Sequence, residues 1–136
     1  MTALEWASGS PGTQWRADLA RTEWDVGFSA IGLSHLALEY VLIPVQVTKL
    51  GLPYNPTGDA VQFAFMPTQT QVPQSGDWVS GAWETDTSNV LYPYEAKCLV
   101  GPGGTITLGI GNYVIYLKIT DSPEVPVLIG GQVQIS

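Results

Sequence analysis

The chain has 136 residues, 45% of them hydrophobic and only 12% charged, with 5 Lys+Arg against 12 Asp+Glu for a formal charge of −7. A soluble domain usually carries about a quarter charged residues. Disorder is therefore excluded, because it pairs low hydrophobicity with dense charge, and so is a duplex-binding protein, because five basic residues on a net anion cannot neutralise several phosphates.

No apolar run reaches the roughly 18–20 residues that span a bilayer; the longest candidate, Tyr40 to Val47, is interrupted by Pro44 and Gln46. The first ten residues hold Glu5 and no basic residue ahead of an apolar stretch, which does not read as a secretory signal. A single cysteine, Cys98, allows no internal disulfide. The length suits one domain with an arm.

Residues 1–38 are read as that arm. Trp6, Trp15, Trp24 and Phe28 are scattered among Gly, Ser and Ala with no strand-length alternation. A helix over Thr13 to Trp24 is conceivable, since Trp15, Leu19 and Thr22 fall at i, i+4 and i+7, but no capping box precedes it and an extended arm fits as well. Large aromatics need burial, and the stretch is too loose to make a core alone. It is therefore expected to lie along the domain or along another subunit.

From residue 39 to 136 the pattern is β. Val41, Ile43, Val45 and Val47 alternate strictly, with Pro44 on the opposite parity, which predicts an edge strand or a bulge. Gly51 to Asp59 is turn chemistry, followed by the alternating Val61, Phe63 and Phe65. A polar Gln/Thr loop runs to Gly76. Trp78 and Trp83 have opposite parity, so Gly81 is expected to mark a bulge that lets both pack. Ala96, Cys98 and Val100 make a strand closed by Gly101-Pro102-Gly103-Gly104. Tyr113, Ile115, Leu117 and Ile119 alternate, and a turn at Asp121 to Glu124 leads to a last strand, Val125 to Ile135, kinked near Gly130-Gly131. Strands at this spacing, with no helix of crossover length between them, predict an all-β, Ig-like antiparallel sandwich of about six to eight short strands behind a mostly non-β arm.

The chemistry-bearing residues point away from catalysis. Nucleophilic catalysis needs a histidine beside a nucleophile. The single His35 lies in the arm, and Cys98 shares the inward parity of Ala96 and Val100, which suits packing. One His and one Cys cannot build a zinc site. Asp59, Asp86 and Asp121 fall in turns, where Asp usually caps its own backbone. The pairs Glu84/Asp86 and Asp121/Glu124 also sit on turns and read as solvated. The Gly101–Gly104 turn leads into a strand, not the helix that a phosphate loop needs. No enzyme activity and no cofactor or metal are expected. Two surface roles remain. Trp78, Trp83 and Tyr94 could stack on sugar rings, which would make a carbohydrate-binding module for cell-wall glycans. Alternatively, aromatics with depleted charge suit a protein–protein interface, with Trp6, Trp15, Trp24 and Phe28 as its anchors.

The segment EAKCLVGPGGTITLGIGNYVIYLKITDSPEVPVLIGGQVQI resembles the LtfC-like β-sandwich modules of tailed phages of actinobacteria. In those modules a VGPGG turn, a GxY strand start and a TDSPE-P turn follow in that order. The Trp-rich strand before it and the turn from Gly51 to Gly58 fit the same outline, and similar modules occur in phage baseplate upper proteins. The resemblance covers residues 39–136. It implies a virion structural protein, made in the host cytoplasm and assembled in the tail or tail-fibre region, with capsid decoration or a minor capsid role as the alternative. The implied partners are tail, baseplate or major capsid proteins and further copies of the chain, with no nucleic acid and no membrane. The family supplies no catalytic residues.

Overall fold

The computed structural model describes residues 22–67, 71–86 and 88–136. Ten strands follow in chain order: β1 (Thr22–Val26), β2 (Ser29–Leu33), β3 (Glu39–Lys49), β4 (Leu52–Pro53), β5 (Ala60–Met66), β6 (Val79–Ser80), β7 (Ala82–Thr85), β8 (Tyr94–Val100), β9 (Gly111–Thr120) and β10 (Val127–Ile135). One sheet runs β1-β3-β8-β7, with β4 paired to β3; the other runs β2-β10-β9-β5-β6. Taking β1 and β2 as a split first strand, β3, β5, β7, β8, β9 and β10 fall in the order B, C, D, E, F, G. The two sheets are then ABED and GFC, the immunoglobulin arrangement. The molecule is an all-β sandwich.

The alternating rows read from the sequence are the core. Val41, Ile43, Val45 and Val47 of β3 face Ile115, Leu117 and Ile119 of β9, with Val61, Phe63 and Phe65 of β5 and Ala96, Cys98 and Val100 of β8 filling between them. Ile43, Phe63, Ile115 and Leu117 are wholly excluded from solvent, each such side chain contributing roughly 1.5–3 kcal/mol. Tyr113, at the start of β9, donates its hydroxyl to the Gly109 carbonyl at 2.9 Å. This is the tyrosine corner of immunoglobulin sandwiches. Two residues on, where that pattern places a disulfide cysteine, stands the buried Ile115, so the seam is held by aliphatic packing.

Four expectations are corrected. First, residues 22–33, assigned to the arm, are strands of both sheets. Thr22, Trp24 and Val26 face inward from β1, and Ser29, Ile31 and Leu33 from β2. The parity flips at Gly27-Phe28, where the chain passes from one sheet to the other, and each half is too short to show alternation alone. The helical alternative accordingly fails for Thr22–Trp24; residues 1–21, with Trp6 and Trp15, lie outside the described residues. Second, Pro44 sits in an interior strand. Its carbonyl accepts the Gly27 amide at 2.9 Å, so its nitrogen faces the same side, just where β1 ends at Val26↔Val45 and leaves for the other sheet. The missing donor meets no waiting acceptor. Third, Gly81 is a crossing between sheets, from β6 to β7, not a bulge. A Cβ there would lie 2.7 Å from the Phe63 ring. Fourth, one pair, β2 with β10, is parallel.

The kink at Gly130-Gly131 is a register shift in the β9–β10 pairing. Gly131 has φ 154°, and a Cβ there would meet the Ser29 carbonyl oxygen at 2.1 Å. Gly131→Ala is therefore expected to detach β2 and cost more than about 2 kcal/mol, read as a lower urea midpoint with faster amide exchange over 29–33. Gly32→Ala, whose Cβ meets nothing within 4 Å, stays within about 0.5 kcal/mol of the parent.

Candidate interaction surfaces

The described aromatic candidates separate by the direction of their strand. Trp24 lies opposite Val47 on β1 and packs against the core. Phe28, at the crossing between β1 and β2, is 60% exposed. Trp83 also packs on the core, with its indole nitrogen donating to the Asp59 carbonyl at 2.8 Å. Tyr94 is half-buried opposite Val45, on the inward row of β8. Trp83 and Tyr94 are both half-buried on inward rows. Trp78 lies on the outside of the second sheet, over Ala64, Met66, Val114 and Tyr116, with the Lys118 ammonium 4.6 Å from its ring centre. The opposite parity of the two tryptophans thus sends one against the core and the other onto an outer face.

Every lysine among the described residues rides on an aromatic ring. Lys49 lies 3.9 Å from the Tyr54 ring centre and Lys97 4.8 Å from that of Tyr40. Lys49 also pairs with Asp121 at 2.8 Å, and Lys97 with Glu84 at 3.1 Å. The Lys49 ammonium is pushed up from its ordinary value by its bond to Asp121. Burial, and then Asp121, push Asp59 up. This joins the loop after β3 to the loop after β9: Asp59 and Asp121, two of the turn acids, gather around a resident ammonium. The third, Asp86, accepts from the Ser88 amide at 3.1 Å and hydroxyl at 2.6 Å, capping its own turn. Among the described residues no three His, Cys, Asp or Glu side chains gather where a metal could be held.

His35 and Cys98 do not form a reactive pair. The His35 ring lies 2.8 Å from the Ser136 carbonyl through Nδ1, while Cys98 is buried in the core and its thiol is pushed up to about 11 by burial.

The two outer faces differ in charge. The β1-β3-β8-β7 face carries Glu23, Asp25, Glu84 and Glu95, with Glu84 directly opposite Glu95. Burial, then Asp86 and Glu84, push Glu95 up. A hollow of about 720 Å³ on this side is lined by Glu23, Asp25, Gln46 and Glu124 among others. The outer face of the second sheet has no acid on any described strand position. It presents Ala30, Gly32, Asn112, Gln132 and Gln134 around a groove of about 610 Å³ that Pro67 also lines, with Gln62 and Lys118, the single charge of the face, paired further along β9. Sequence reasoning missed this face. The alternate polar residues were visible, but nothing local told which strands would lie side by side.

Both ends of the sandwich are apolar. The register puts the loops after β3, β7 and β9 at one end, where Leu50 (68% exposed), Leu52, Val90 (93%), Leu91 and Val125 project. At the other end Leu36 (78%), Leu38 and Ile110 (70%) do so.

No protein-family model matches the chain, and no curated protein matches it.

Two outcomes follow. With its thiol near 11, Cys98 is roughly one part in a thousand thiolate at pH 8, so a disulfide reagent should label it only after unfolding; labelling at the unfolding rate confirms this and rapid labelling of the native protein contradicts it. Glu95 is raised in the folded state, so its charge opposes folding above the carboxylate range and ceases to do so as pH falls below it. Glu95→Gln should therefore stabilise at pH 7 by at most about 1 kcal/mol, with the gain vanishing near pH 3 in parallel urea titrations.

Proposed function

We propose that this chain is a structural component of a tailed-phage particle, acting by contact and not by bond-making. The tail or tail-fibre region is the first assignment and capsid decoration the second. The observation that carries the reading is the placement of large apolar side chains, Leu36 and Ile110 at one end and Leu50 and Val90 at the other, outside a core that closes without them. Exposed apolar patches on a stable domain mark surfaces that a neighbour covers. The sequence resemblance supplies the kind of particle. Low charge lowers the desolvation cost of such contacts, and immunoglobulin-like sandwiches are stable platforms for them.

The proposed anchors are now Trp6, Trp15 and Phe28, since Trp24 belongs to the core. Removing residues 1–21 leaves β1 and β2 in place, so a particle assembled with that truncated chain tests the docking arm. Incorporation at least tenfold below the parent is expected, given roughly 2–3 kcal/mol for each tryptophan that a partner buries. Leu50→Asp with Val90→Asp, and Leu36→Asp with Ile110→Asp, test the two ends in the full chain. Absence of the parent protein from purified particles overturns the reading. Retention of a cell-wall glycan through Trp78 favours the binding-module alternative.

A further inference from the structure

We infer that the acid-free outer face of the β2-β10-β9-β5-β6 sheet is a dimer interface, and that its occupant is a second copy of this chain packed about a two-fold axis running along β9. The inference rests on the proposed function only in taking the chain to work by contact with neighbours.

Charge selects both the face and the partner. At −7, two copies repel through almost any surface, and pairing through the β1-β3-β8-β7 face would set Glu23, Asp25, Glu84 and Glu95 against themselves. The opposite face bears only Lys118, already laid over Trp78. Joining two such faces turns both acidic faces outward, where screening is greatest.

Shape is self-complementary in the same sense. On one side of β9 stands a ridge, the Trp78 ring resting on Ala64 and Met66. On the other side lies most of the groove, floored by Ala30 and Gly32 of β2 and flanked by Gln132 and Gln134, which crosses β9 at Asn112 and Val114 to reach Pro67. A two-fold axis along the strands carries each ridge over the other copy's groove, at the same height, because Met66 and Gln132 both pair with Val114. This is an isologous contact. On β9 itself, Asn112 meets its own symmetry mate. An amide both donates and accepts, so two copies can bond reciprocally at Asn112, while Lys118, further along the same outer row of β9, is turned aside over Trp78. The five strands present 33 residues, which at roughly 3.3 Å by 4.8 Å each give on the order of 500 Å² per copy, the size of a weak, reversible interface.

Sedimentation velocity of the purified full chain over a concentration series tests this. A dimer with Kd below about 100 μM is expected. Gly32→Arg places a long charged side chain at the groove, where its Cβ meets nothing within 4 Å. Asn112→Asp sets two carboxylates on the axis. Each should raise Kd at least about tenfold at pH 7, and the Asn112→Asp dimer should recover as pH falls through the carboxylate range. Gln46→Arg, on the acidic face, should leave Kd unchanged. Unchanged circular dichroism and urea midpoints show that the variants fold. A monomer throughout, or an association that ignores Gly32→Arg and Asn112→Asp but yields to Leu36→Asp or Leu50→Asp, overturns the inference. A monomer that still enters particles separates this failure from failure of the proposed function; a dimer absent from particles separates the reverse.

Discussion

Two sheets stay face to face only where the rows between them interlock, and in this sandwich that burden falls on β3 and β9. Ile43, Val45, Ile115 and Leu117 reach zero exposure while the only cysteine, Cys98, sits on β8. In an immunoglobulin domain a disulfide between the equivalent strands removes entropy from the unfolded chain. Here nothing covalent ties them, so the folded state depends on burial and close packing alone. The tyrosine corner makes sense in that light. The bond from Tyr113 to Gly109 pins the loop before β9 and fixes the depth at which Ile115 enters the seam.

That seam explains where the chain needs glycine. Strands reach both sheets only because the backbone crosses between them at 27–28 and at Gly81. At the second crossing the Phe63 ring stands where a side chain would be, so the largest buried residue of β5 and the smallest residue of the chain are one packing solution. Pro44 belongs to the first crossing. A proline in an interior strand would ordinarily break a ladder, yet its nitrogen faces the gap that β1 leaves when it departs. The same departure creates both the groove side of the second sheet, through β2, and the tolerance for Pro44.

These cases show what was legible in the sequence and what was not. Three or four strictly alternating side chains identified β3, β5, β8 and β9, because period two survives wherever one face is buried. β1 and β2 escaped because five residues with a parity flip between them look aperiodic, and because the event that flips them, a change of sheet, is tertiary. Trp83 illustrates the same limit on the sites. Its parity relative to Trp78 was readable, but which side of the sandwich each would face depended on Gly81 being a crossing. Cys98 was legible throughout, since a thiol on an alternating apolar row has only one place to go.

The segregation of charge is the point at which fold and proposed role meet. A chain with 12 acids could scatter them over solvated strand positions of both sheets, and on the outer face of the β1-β3-β8-β7 sheet it places Glu23, Asp25, Glu84 and Glu95 even at the cost of setting Glu84 against Glu95. On the other sheet the same kind of outward positions hold Gln, Asn, Ala and Gly. Amides keep such a face wetted and soluble while it is bare, yet their hydrogen bonds can be remade across a contact at little net cost; carboxylates would have to be desolvated or paired. The one lysine on that side, Lys118, lies over the Trp78 ring, where the aromatic face takes up part of its field, so that what a neighbour meets there is mostly shape and hydrogen bonding.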